Sequence, residues 1–184
     1  MRSSLLSSFA ALSLALPTAL CNSITCNFTC IQDSEVQGIS SRWLNSFATG
    51  GIDGLANAVT DDIHIYDEGA TNGSLAAYVT NYQELHDTIT LGPYGGNGVQ
   101  DVTYDVVFTF HTCDRIALRW QQNVITTDMI GYGSTVPAGK AISFRGTDLL
   151  TINLESKKVS NVTTSADLLE YYRDLGYDLG VWTA

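Results

Sequence analysis

Three long β-rich segments crowd the second half of this chain: Val102 to Thr112, Arg115 to Thr127 and Ala141 to Asn153. A fourth, short one runs from Val159 to Thr163. Almost all the helical signal precedes them. From Ser34 to Phe47, the apolar residues Val36, Ile39, Trp43, Leu44 and Phe47 recur at helical spacing, and Gly50-Gly51 ends that helix. Asp53 opens a short second helix through Ala58, Ile63 to Tyr66 reads as a short strand, and Ser74 can cap a third helix from Leu75 to His86. Thr164-Ser-Ala-Asp167 has capping-box spacing and starts a last helix, Leu168 to Leu175, closed by Gly176. Strands grouped after helices predict an α+β domain and exclude the alternating βαβ pattern of a parallel sheet. No repeat, low-complexity tract or linker divides the chain.

The first residues read as a targeting segment. Arg2 is followed by the apolar run Leu5 to Leu16, Pro17 breaks it, and Ala19-Leu20-Cys21 fits a signal-peptidase site. The expected organisation is a signal peptide over 1–21, a cysteine-containing segment over 22–33, the domain over 34–178 and a tail over 179–184. Cleavage would start the mature chain at Asn22 and send it outside the cell. The apolar run is too short to span a bilayer, and no membrane association is expected. Losing Arg2 reduces the nine Lys and Arg residues to eight against 19 acidic ones, a formal charge of −11. So acidic a surface, with no basic stripe, argues against nucleic acid as a partner.

Of Cys21, Cys26, Cys30 and Cys113, three survive that cleavage. Cys26 with Cys30, or either with Cys113, could form a disulfide in an oxidising compartment. Three sequons, at Asn27, Asn72 and Asn161, fit the same route and suggest a glycoprotein. Asn72 lies in an Asn-Gly turn, whereas Asn161 sits in a strand that should face the pocket or a partner.

Several words of the sequence resemble a known superfamily. They are Trp43-Leu-Asn-Ser-Phe-Ala-Thr-Gly-Gly-Ile-Asp-Gly-Leu55, Thr60-Asp-Asp-Ile-His-Ile-Tyr-Asp67, Ser143-Phe-Arg-Gly-Thr-Asp-Leu-Leu150 and the sheet-to-helix end from Lys158 to Gly176. Together they look like the nuclear transport factor 2-like superfamily, in its SnoaL-like polyketide cyclase and ketosteroid isomerase branches. The resemblance implies a cone-shaped fold: a strongly curved mixed or antiparallel sheet wrapped around three N-terminal helices, with a short C-terminal helix. It also implies an apolar pocket at the open end of the cone. Candidates to line it are Trp43, Phe47, Tyr66, Tyr104, Phe108, Arg119, Trp120 and Phe144. Pairing of two copies through the outer sheet face, giving a homodimer, is a further expectation.

The resemblance places a catalytic base at Asp67, which ends the first strand as the general base of ketosteroid isomerases does. The rest of that site does not carry over. Trp43 holds the oxyanion tyrosine position, and the protonated-aspartate position falls at or near Phe144. The acid of the SnoaL-like last strand is missing too, since Asn161, Val162 and Thr163 occupy its word. An alternative for Asp67 is a turn residue in Asp-Glu-Gly.

Asp148 shares strand parity with Phe144 and Ile152, so it should point into apolar surroundings, where Arg119 or a histidine could partner it. His64 and Tyr66 share one face of their strand, opposite Ile63, Ile65 and Asp67. His111, beside Cys113, is expected to be exposed. No nucleophile elbow, phosphate loop or paired-histidine word occurs, and neither a metal nor any other cofactor is expected.

The reading is therefore a secreted pocket protein for a small apolar oxygenated molecule. It would act by cofactor-free acid–base chemistry, namely isomerisation, cyclisation or dehydration, with Asp67 as base and Asp148 or His64 assisting. The alternative is a non-catalytic secreted binder or interaction glycoprotein.

Overall fold

The computed structural model describes residues 29–67, 69–71, 73–91, 98–127 and 136–177. The leader, Asn27, Asn72, Cys21, Cys26 and the tail lie outside them. Helix α1 (Asp33–Asn45) begins where the Gln32 backbone N–H donates to Glu35 Oε2 at 2.8 Å, and Asp33 and Glu35 put negative charge on its first turn. Its buried stripe is Val36, Ile39, Ser40, Trp43 and Leu44, the helical spacing expected for one inward face. A 3₁₀ turn (Ile52–Gly54) and α2 (Leu55–Ala58) lead into strand β1 (Val59–Tyr66).

Helix α3 (Tyr82–Leu91) lies later in the chain than the expected Leu75 to His86. Its start is fixed by Asn81, whose Oδ1 accepts the Glu84 N–H at 3.0 Å, while Glu84 Oε2 accepts from both Thr80 N and Thr80 Oγ1. Ser74 makes a turn instead, accepting from Ala76 N at 3.1 Å. The residues between reach the edge of β1, where Tyr78 N and Ile65 N bond Ile65 O and Val79 O.

Four strands follow: β2 (Val99–His111), β3 (Arg115–Thr126), β4 (Ala141–Asn153) and β5 (Lys158–Ala166). The last is longer than its apolar core suggested, because the polar run Thr163 to Ala166 pairs with Gly146 to Leu149 of β4. The sheet order is β1-β5-β4-β3-β2, antiparallel except for the β1–β5 pair. It is an open mixed sheet in an α+β domain. Helix α4 (Leu168–Asp174) closes the order, capped by Asp167, whose Oδ1 accepts from Glu170 N at 3.0 Å. The cap is thus Asp167 itself, and Thr164 is released for another task.

Alternation sorts the two faces. On β3, Ile116, Leu118, Trp120, Gln122, Val124 and Thr126 are buried; on β4, Ile142, Phe144, Gly146, Asp148, Leu150 and Ile152 are. This inner face packs with α1, α2 and α3 into a core around Leu55, Ile63, Leu85, Ile116, Leu118 and Leu150. Burying each such side chain contributes about 1.5–3 kcal/mol. A Cys30–Cys113 disulfide ties the segment before α1 to the β2–β3 turn, and Ile31 N bonds Cys113 O at 2.8 Å. Of the pairings the spacing left open, this one is present.

Candidate functional site

A cavity of about 350 Å³ lies between the inner face of the sheet and the helices. Its wall is a run of aromatic rings in contact. Phe47 meets Trp43 and Tyr104, Tyr104 meets Trp120, Trp120 meets Phe144, and Phe144 meets Tyr171 of α4, all at centroid distances of 4.5–6.5 Å. Such offset and edge contacts fix the rings' positions as well as burying them. Tyr171, Tyr172 and Tyr177 form the rim on the α4 side. Burial, with the neighbouring Tyr172 and Tyr177, holds the Tyr171 phenol above its ordinary range.

Two carboxylates share this cavity. Asp148 is only 4% exposed. Its Oδ2 accepts the Trp43 indole N–H at 2.7 Å, and its Oδ1 accepts the Thr164 hydroxyl at 2.6 Å. Burial pushes the Asp148 carboxyl above the usual carboxylate range, and the nearby Asp67 adds to the rise. The donors from Thr164 and Trp43 pull the other way, and so does the neighbouring Trp120 indole, without outweighing burial. Trp120 Nε1 is buried and stops short of hydrogen-bond geometry with that carboxylate, leaving it unpartnered among the described residues.

The local sequence explains this grouping. Thr164 and Asp148 are direct cross-strand partners on the inner face, with Leu118 on the other side of Asp148. One rung away Trp120 sits opposite Gly146. A Cβ on Gly146 would lie 2.0 Å from Trp120 Cζ2, so the glycine is what lets the indole lie across β4 beside Asp148. Gln122 is buried next to them and donates its Nε2–H to Tyr104 OH.

Asp67 lies at the exit of β1 and lines the same cavity. Its Oδ1 accepts from Gly69 N at 2.9 Å and Ala70 N at 3.2 Å, the turn role, while Oδ2 takes no hydrogen bond among the described residues. The turn and the cavity use different oxygens of one carboxylate. Both readings of this residue are therefore geometrically compatible.

Of the expected lining residues, Trp43, Phe47, Tyr104, Trp120 and Phe144 face the cavity. Four expected positions lie elsewhere. Arg119 directly precedes Trp120 on β3, so alternation turns it to the outer face, where it donates to Thr147 Oγ1 at 3.0 Å. It therefore cannot pair with Asp148; Trp43 and Thr164 do so instead. Tyr66 and His64 point away from Ile63 and Ile65, as their parity requires, and His64 bonds Asp62 O at 2.9 Å rather than entering the cavity.

Phe108 is half exposed because a β-bulge at Val107 shifts the register. Val106 faces Trp120 but Phe108 faces Arg119, so Phe108 turns outward. His111, as expected, is exposed; Asp33 Oδ1 lies 2.8 Å from its Nε2 and raises its pKa.

Thr164, Gln122 and the α4 tyrosines were not expected in the site. Thr164 was legible only as a cap, and Tyr171 and Tyr172 only as part of the last helix. Among the described residues, no cluster of His, Cys, Asp and Glu could hold a metal ion. No described helix is long and apolar enough to cross a membrane.

Comparison with known proteins bears on the fold. The model of the NTF2-like domain matches residues 29–178. No curated protein sequence matches the chain. Among solved structures, a candidate polyketide cyclase from Acidithiobacillus ferrooxidans superposes with a TM-score of 0.63 at 14% identity, covering 79% of this chain and 97% of that one. TsrD from Streptomyces laurentii gives 0.59 at 15% identity, over 79% and 98%. A SnoaL-like polyketide cyclase from Agrobacterium tumefaciens gives 0.54 at 16% identity, over 77% and 98%. At these identities the likeness is one of fold.

Proposed function

The chain belongs to the NTF2-like domain family, and from that premise we propose that it works on a small apolar oxygenated molecule by cofactor-free acid–base chemistry. The observation that carries this is Asp148, a buried carboxyl in an aromatic cavity that also holds Asp67. Two carboxyl groups whose environments differ can divide acid and base work between them. Asp148 is the proton-holding partner, since burial disfavours its charge. Asp67, at the strand exit with one oxygen uncommitted, is the base. Trp120 Nε1–H, buried without a partner among the described residues, supplies a hydrogen bond to an oxygen of the bound molecule.

Isomerisation, cyclisation and dehydration all need such a pair and no redox group. The polyketide cyclase names among the structural neighbours fit this class of chemistry. Export to an oxidising compartment is part of the same proposal, supported by the apolar leader and the Cys30–Cys113 disulfide.

A second reading, a binder that does no chemistry, is favoured by one observation. The acid of the SnoaL-like last strand is replaced by Asn161, Val162 and Thr163, and Val162 is wholly buried in the core.

The test starts from a small molecule that co-purifies with the secreted protein, identified by mass spectrometry. If the protein is an enzyme, Asp67→Asn lowers turnover of that molecule by about 10²-fold or more while affinity changes little. Binding with no turnover by the wild-type protein establishes the binder. Full-speed turnover by a folded Asp67→Asn protein removes Asp67 as the base.

A further inference from the structure

The outer face of the sheet carries a row that crosses all five strands: Tyr66, Thr163, Leu149, Ala117 and Phe110. Phe110 is 69% exposed and Leu149 55%, an apolar surface with no element laid over it among the described residues. A shallow depression over this row is bounded by Phe110, Ala117, Leu149, Asn161 and Thr163. Asn161 stands one rung from the row, between His64 and Thr151.

The sequon Asn161-Val162-Thr163 is thus split between the faces. Val162 is fully buried inward, while Asn161 and Thr163 turn outward. The Asn161 amide makes no hydrogen bond among the described residues, so nothing in the sheet needs it. A substituent on its nitrogen has open space above the depression and an apolar floor beside it.

We propose that Asn161 carries an N-linked oligosaccharide whose inner sugars lie over Leu149, Ala117 and Phe110, and that this cover keeps the face from pairing with a second copy of the chain. In the transfer, Asn161 Nδ2 forms a bond to the anomeric carbon of a polyprenyl-pyrophosphate-linked oligosaccharide. The bond from that carbon to the pyrophosphate oxygen breaks, the pyrophosphate leaves with the electron pair, and the amide gives up one proton to solvent. The acceptor is the exported chain before it folds, so the later pairing of the β5 backbone is no barrier. After folding, the pyranose C–H faces meet apolar and aromatic side chains, which are otherwise exposed. The same face is the one through which a homodimer was expected. A glycan there and a sheet-to-sheet dimer exclude each other.

The experiment uses the full chain, made behind its own first 21 residues in a eukaryotic secretory host. The tryptic peptide Val159–Arg173 contains Asn161 as its only asparagine. After enzymatic deglycosylation in heavy-oxygen water, that peptide should carry Asp with one heavy oxygen in place of Asn. Sedimentation at about tens of micromolar should show a monomer. Both Asn161→Gln and Thr163→Ala, which remove the sequon by different atoms, should self-associate, and adding Leu149→Arg should return them to monomers. An unmodified peptide, from secreted or retained protein, overturns the glycan. A glycosylated wild-type dimer that Leu149→Arg dissolves, or sequon variants that stay monomeric, overturns the shielding.

Discussion

The proposed chemistry turns on how Asp148 is held. An aspartate in an apolar wall is stable only if its oxygens are occupied, and here an indole N–H and a threonine hydroxyl occupy them. Trp43→Phe keeps the ring and removes the donor. It should cost about 1–3 kcal/mol in chemical denaturation and raise the Asp148 pKa further, since a bond to the charged form is lost.

The pH dependence has a definite sign. The folded pKa of Asp148 lies above its unfolded value, so between the two the native state binds the extra proton. Stability contributed by this group is therefore full below the unfolded pKa and is lost as pH rises toward the folded one. Asp148→Asn should flatten that part of a stability-against-pH curve while leaving the rest in place; an unchanged curve would remove the assignment.

Gly146 is the quiet member of the group. Gly146→Ala should cost about 1–3 kcal/mol and shift the Trp120 fluorescence spectrum, because the indole must leave its place over β4. Asp148 and Trp43 were individually legible in the sequence from strand parity and helical spacing. Their mutual bond was not, because 105 residues separate them and no local pattern records it.

Element order was the most legible level. Helix α1, the long strands and the last helix fall close to where periodicity puts them, since each carries its own apolar face. Three departures have local causes. Helix α3 starts at the Thr80–Asn81–Glu84 cap rather than at Ser74, because two side chains outbid one. Strand β5 extends through polar residues that hydrophobicity does not mark. The bulge at Val107 reverses the facing of every residue after it, so Phe108 leaves the pocket.

The disulfide acts at this scale too. It closes a loop of 83 residues that includes α1 to β2. Its loss in Cys113→Ala should cost about 4.5 kcal/mol by loop entropy, measurable as a lower denaturation midpoint.

At the scale of the whole molecule, the domain is an NTF2-like scaffold whose helices and inner sheet face leave an aromatic cavity beside two carboxyl groups. Fold and cavity wall follow from apolar patterning. The polar chemistry does not, because it depends on cross-strand neighbours such as Thr164 and Gly146 that only the sheet register brings together. The acidic excess of the chain disfavours anionic ligands, nucleic acid included, at long range. That agrees with a neutral, oxygenated occupant.

The proposed acid–base chemistry requires Asp148 to hold its proton. Carbon-13 NMR of protein labelled at aspartate carboxyls, with Asp148 assigned by its absence in Asp148→Asn, follows that group through a pH titration. The expected midpoint lies above that of free aspartate and moves higher still in Trp43→Phe. A midpoint at or below the free value would contradict it.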